Sequence, residues 1–170
     1  MITSAEEFIR LRFSEDIEEQ RRSAVEEADV SVWYEVLKQH PDDDEREGAL
    51  TPTPYGYMEE YISENADVRH GVALNKKLPD EIIRILAKDR SWRVRSTIAW
   101  KRKTPPDVLR ELADDPSDVV RNKVAWHRKT PKDVLERMLN DPWDNIVLAV
   151  KKRLGIIDNT DLEPKLRVST

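Results

Sequence analysis

With 170 residues, no cysteine and a mean hydropathy of −0.72, the chain has room for one hydrophobic core but none for disulfides or thiolate metal sites. No apolar run approaches the roughly 18 residues of a membrane span, and the acidic opening MITSAEEFIRLRF is unlike a secretory signal, so a cytoplasmic protein is expected. The net charge of −5 conceals a polarity: residues 1–67 carry 19 Asp and Glu against 6 Lys and Arg, and residues 68–170 carry 15 against 23, which points to a partner with a charged face or to attraction between the two halves.

Ser4, followed three residues later by Glu7, has the form of a capping box, and Phe8, Ile9 and Leu11 supply one apolar side to a short helix. Ser14, Glu15 and Asp16 predict the start of a second helix running to about Ala28. Its apolar positions, Ile17, Ala24, Val25 and Ala28, are sparse, which predicts a half-exposed helix that caps the helices C-terminal to it. Val32, Trp33, Val36 and Leu37 give residues 30–40 a third apolar helical face, ended by Pro41. The charged and Thr-Pro-rich segment 41–56 predicts a loop, and Tyr57, Met58, Tyr61 and Ile62 predict a further helix ending near Asn65.

From residue 68 the chain becomes periodic. Val94, Arg95, Ala99, Trp100, Lys103, Thr104, Pro105, Val108, Leu109 and Asp115 all recur 26 residues later, from Val120 to Asp141, and Val68, Arg69, Ala73, Pro79, Ile82, Ile83 and Asp89 hold the pattern one step upstream. A fixed period of this size predicts units that bury their apolar faces only by stacking on one another. Each period reads as two helices, such as 105–114 and 118–126, with Thr104 and Thr130 as hydroxyl caps directly before a proline. The pattern fades after Ile146, predicting a terminal cap, and residues 156–170 are expected to form a tail. Three parts result: an acidic helical cap with a degenerate repeat (1–67), the repeat array (68–155) and the tail.

The recurring VR..IA...KTP.DVL..LA.D resembles the leucine-rich repeat variant and the broader HEAT-like helical repeats, over roughly residues 66–153. The resemblance implies an all-α fold, an α-solenoid of short helix pairs behind a helical N-terminal cap, in a family composed mostly of binding scaffolds.

Two side-chain ladders arise from the period. Arg69, Arg95 and Arg121 with Asp89, Asp115 and Asp141 are expected to pair between neighbouring units as a structural ladder. The second ladder joins Lys76 and Lys77 to Trp100, Lys101, Arg102 and Lys103 and to Trp126, His127, Arg128 and Lys129, a basic stripe with two indoles. Such a stripe suits an acidic protein or the phosphates and bases of a nucleic acid; equally, its cations complement helix C-termini while its Trp rings cover the seam between units.

The acidic block Asp42, Asp43, Asp44, Glu45 and Glu47 suits steering of a basic partner. No metal-ligand spacing, phosphate loop or nucleophile elbow is present, so neither cofactor nor metal is expected. The leading expectation is a non-catalytic protein-binding module, in its narrower form a bacterial immunity or antitoxin-type protein that masks a toxin domain. The alternative is a nucleic-acid binder. Its enzymatic form rests on resemblance to HEAT-like alkylpurine DNA glycosylases, with Trp92, Trp100, Trp126 and Asp118 as the candidate constellation.

Overall fold

Apolar residues at three- and four-residue spacing make helices, most of which begin directly after a serine, an aspartate or a proline. The computed structural model describes residues 1–44, 46, 50–52, 58–60 and 62–157. Ahead of the periodic region lie α1 (Ala5–Arg12), α2 (Ile17–Val25), α3 (Val30–Gln39) and a two-stranded antiparallel ribbon, β1 (Leu50–Pro52) with β2 (Met58–Glu60), in which Leu50 faces Glu60. Then come α4 (Glu64–Leu74), α5 (Asp80–Leu86), α6 (Trp92–Trp100), α7 (Pro106–Leu112), α8 (Asp118–Trp126), α9 (Lys132–Met138) and α10 (Asp144–Arg153). The short helices α5, α7 and α9 start 26 residues apart, and so do the longer α6, α8 and α10. The described fold is thus all-helical apart from the small ribbon. None of its helices is long and apolar enough to cross a membrane.

The longer helices pack as successive neighbours, α4 on α6, α6 on α8 and α8 on α10, and α2 joins the row by packing on α4. Val94, Ile98 and Ala99 of α6 and their equivalents Val120, Val124 and Ala125 of α8 are fully buried in this layer. Below them Ile82, Ile83 and Leu86, then Val108, Leu109 and Leu112, then Val134, Leu135 and Met138 close the core. The core continues into α1 and α3, where the Phe8 and Trp33 rings meet edge to face at 5.2 Å.

Several local expectations are met and several are corrected. Ser4 caps α1 by accepting from the Glu7 amide at 3.1 Å, but the Glu7 carboxylate binds Thr3 rather than Ser4. The second helix starts after Asp16 and stops at Val25, because Ala28 bridges in parallel to Ile2. The expected loop 41–56 contributes a strand. The helix expected from Tyr57 does not form either: Met58–Glu60 is extended, and Ser63, accepting from the Ala66 amide at 3.0 Å, starts α4 afresh. Tyr57 and Tyr61 lie outside the described residues, as do 158–170 of the expected tail.

Thr104 and Thr130 are not caps. The caps are Pro105 and Pro131, whose extended backbone places each threonine one residue too early. Their buried hydroxyls instead donate to Ile98 and Val124 carbonyls at 2.6 Å, satisfying the end of the preceding helix. At the far end, Gly155 adopts φ 69°, and Ile156 N–H reaches the Lys151 carbonyl at 2.9 Å, a Schellman closure of α10.

Candidate functional site

Pairing separates the ionic groups that hold the fold from those that face outward. Arg69, Arg95 and Arg121 each donate through Nε to Asp89, Asp115 and Asp141, every time at 2.7 Å. Each aspartate also accepts from the amide two residues on, Ser91, Ser117 or Trp143, at the entrance to a long helix. The three Arg–Asp pairs thus recur once per 26 residues along the chain. Asp42 joins it: its carboxylate accepts from the Arg90 amide at 2.9 Å and lies 3.4 Å from Arg69. Asp44 is bound by Arg46 at 2.8 Å, Asp43 is exposed, and Glu45 and Glu47 lie outside the described residues.

A second ladder, not apparent in the sequence, runs along the other end of the long helices. Asn75 donates to the Ser23 and Glu26 carbonyls at 2.7 and 2.9 Å, Lys101 Nζ to the Asn75 carbonyl at 2.6 Å, His127 Nε2 to the Lys101 carbonyl at 3.1 Å, and Arg153 to the Ala125 and His127 carbonyls at 2.8 Å. These donors stand 26 residues apart, and each satisfies carbonyls left open where the preceding long helix ends. Burial, with Lys103 nearby, lowers the Lys101 ammonium to about 8. Burial likewise lowers His127, whose Nδ1 accepts from the Lys129 amide at 3.2 Å, so the ring is a neutral Nε2–H tautomer. Two members of the basic stripe thus reach into the scaffold.

The rest of the stripe faces solvent. Trp100 is 58% exposed and Trp126 43%. Lys123 lies over the Trp100 ring at 5.1 Å and Lys152 over Trp126 at 6.0 Å. Lys76, Arg102, Lys103, Arg128 and Lys129 are exposed and, among the described residues, have no carboxylate within 4.0 Å; Lys77 pairs with Glu27 at 3.1 Å. The opposite edge is different. There Arg84, Lys88, Arg110, Lys132 and Arg137, on and just after the short helices, all pair with a carboxylate: Asp107, Glu111, Asp133, Glu136 and Asp114 respectively.

Two grooves on the long-helix layer meet at exposed Leu74. One, of about 390 Å³ between α4 and α6, is bounded by Leu74, Trp100, Lys76, Lys101, Arg102 and Lys103; the other, of about 360 Å³ between α2 and α4, includes Arg12, Ile17 and Arg21. Neither is lined by a carboxylate. In the second groove Arg12 lies across Gly71, where an added Cβ would come within 2.7 Å of its Nε.

A larger groove of about 910 Å³ opens at the other end of α6 and α8 and contains Trp92 and Asp118 among mixed charges. Trp100 and Trp126 stand at the opposite ends of those helices, so the four residues of the glycosylase-like constellation do not converge. His40 and His70 bind Asn65 and Thr97, each at 3.0 Å, and among the described residues no cluster of three potential metal ligands forms. No family model, no curated protein and no solved structure matches the chain.

Proposed function

We propose that the chain is an α-solenoid of HEAT-like repeats acting as a non-catalytic scaffold, which binds an acidic protein partner on the exposed face of its long-helix layer. The observation that carries this reading is the asymmetry of pairing: cations of the short-helix edge have intramolecular partners, whereas Lys76, Lys101, Arg102, Lys103, Arg128 and Lys129 have no carboxylate at hand. In a chain of net charge −5, a row of unpaired cations flanking half-exposed indoles is a surface whose counter-charge comes from outside. Trp and Arg are also the residues that most often anchor protein interfaces. Successive turns of stacked helices lie about 10 Å apart, so an extended acidic segment would meet a new cation pair about every three residues.

A nucleic acid is the second reading, supported by the exposed indoles of Trp100 and Trp126 beside cations. Aliphatic Ile17, Leu74 and Leu148, exposed on helices of the same layer, favour a protein, and the exposed carboxylates of Glu15, Asp16 and Glu18 around α2 oppose a long polyanion. The toxin-masking form, which relied on the acidic block, has less support because Asp42 is directed onto Arg69 and Arg90. The test is capture of a partner that survives nuclease. It should be lost when Arg102, Lys103, Arg128 and Lys129 are reversed to Glu and kept when Lys132 and Arg137 are reversed. Equal capture by both variants would refute the reading.

A further inference from the structure

The groove between α4 and α6 combines three things: an aliphatic side chain, an indole, and a half-buried ammonium without a carboxylate. Exposed Leu74 and Trp100 line it together with buried Ala73. Lys101 Nζ uses one of its three donors on the Asn75 carbonyl at 2.6 Å. We propose that this groove is the anchor subsite for the partner, taking an extended acidic segment whose aliphatic side chain lies between Leu74 and Trp100 while a neighbouring carboxylate meets Lys101. The inference rests on the reading of this face as a binding surface, and it adds the chemistry of the segment recognised.

A volume of about 390 Å³ accommodates a branched aliphatic side chain and the backbone beside it, but not a folded element. The charge that acts on Lys101 is the Lys103 cation, and the other ionic groups lining its groove are cations too. Arg102 and Lys103 follow it in the chain, Lys76 follows α4, and neutral His127 binds its carbonyl. A carboxylate arriving there supplies the missing counter-charge and raises the ammonium back toward the ordinary lysine range. Binding is then linked to proton uptake at Lys101, which sits at about 8 in the unliganded protein. Affinity is fully present below that value and declines as pH rises through it, while the carboxylates of the segment remain ionised throughout.

The experiment titrates the ¹⁵N-labelled full chain with the acetylated, amidated pentapeptide Glu-Asp-Leu-Asp-Glu at pH 7 and pH 9.5, with Glu-Asp-Gly-Asp-Glu and an eight-nucleotide oligothymidylate as comparisons. The expected result is saturable shifts confined to residues 73–77 and 97–103 and to the Trp100 indole. Affinity should be up to about thirtyfold weaker at pH 9.5. The glycine peptide should bind more weakly than the leucine peptide, and Trp100→Ala should erase that difference. Lys101→Arg, which stays charged and still donates to Asn75, should bind at both pH values alike. Shifts elsewhere, or wild-type affinity that is independent of pH, would overturn the anchor, as would tighter binding of the oligonucleotide at these residues. If the peptide fails here while captured partner is still lost on charge reversal, the anchor falls and the binding surface stands. If both fail, both fall.

Discussion

Arg95 bonds forward and backward at once: its Nε donates to Asp115 Oδ2 at 2.7 Å, and its Nη1 donates to the Asp89 carbonyl at 2.7 Å. Arg121 repeats this with Asp141 and the Asp115 carbonyl. One guanidinium on α6 therefore joins the segments that follow α5 and α7 and satisfies a carbonyl that no helix satisfies.

The two sets of ion pairs should behave differently on mutation. The side chains of Arg95 and Asp115 are 12% and 3% exposed, those of Arg84 and Asp107 49% and 61%. Asp115→Ala leaves a nearly buried guanidinium without its anion and the Ser117 amide without its acceptor, so a loss of about 3 kcal/mol is expected. Asp107→Ala removes a solvated pair, and its urea midpoint should match the wild type within error. Urea unfolding of the two variants beside the wild type decides it; equal losses would show that burial does not govern these pairs.

Thr104 offers a cleaner polar deletion. Its fully buried hydroxyl is bonded to the Ile98 carbonyl, and Thr104→Val keeps the shape while removing that donor. The expected cost is about 1–2 kcal/mol. Thr104→Ser, which retains the hydroxyl, should lose less; a valine variant as stable as the wild type would mean that water reaches the carbonyl.

These two cases show what the sequence made legible. The Arg and Asp rungs repeat as identical residues, so the period exposes them before any coordinates, and the helix 118–126 was readable for the same reason. The donors Asn75, Lys101, His127 and Arg153 escape notice because their role repeats while their identity changes. Thr104 looked like a cap because Thr-Pro at a helix start usually is one; the extended backbone of Pro105 moved the cap by one residue. Asp42 reads as part of an acidic steering block, and contacts across 27 and 48 residues, with Arg69 and the Arg90 amide, turn it inward. The apolar spacing from Tyr57 to Ile62 fits a helix, yet Ser63 begins one only at Glu64, after Met58–Glu60 has paired as a strand. Local periodicity carries no information about any of these long-range partners.

Stability should fall in mildly acidic solution. Burial lowers His70 and His127 below the ordinary 6.5, so between that value and their folded values the unfolded chain binds more protons. Their contribution is therefore complete above about 6.5 and declines as pH falls below it, flattening once the folded rings are protonated. Protonated His127 would also set an N–H against the Lys129 amide that now donates to Nδ1. Urea midpoints from pH 7.5 to 5.5 should show this slope, and His70→Asn with His127→Asn should flatten it. A wild-type profile already flat over that range would contradict the assignment of neutral rings.

The last prediction separates binding from folding. Lys101, Arg102 and Lys103 are consecutive cations with no carboxylate nearby, and Lys103 is one of the causes that lower Lys101. The unliganded protein thus carries mutual repulsion at this edge, which added salt should screen. Lys103→Glu supplies the missing charge in place, so it should raise the melting temperature at low salt, diminish the gain from added salt, and shift Lys101 upward. The same substitution should abolish binding of acidic ligands, because the counter-charge would already be internal. Calorimetry at 20 and 300 mM salt, paired with the peptide titration, reads both effects. A variant that is less stable and still binds would mean that these cations serve the fold rather than a partner.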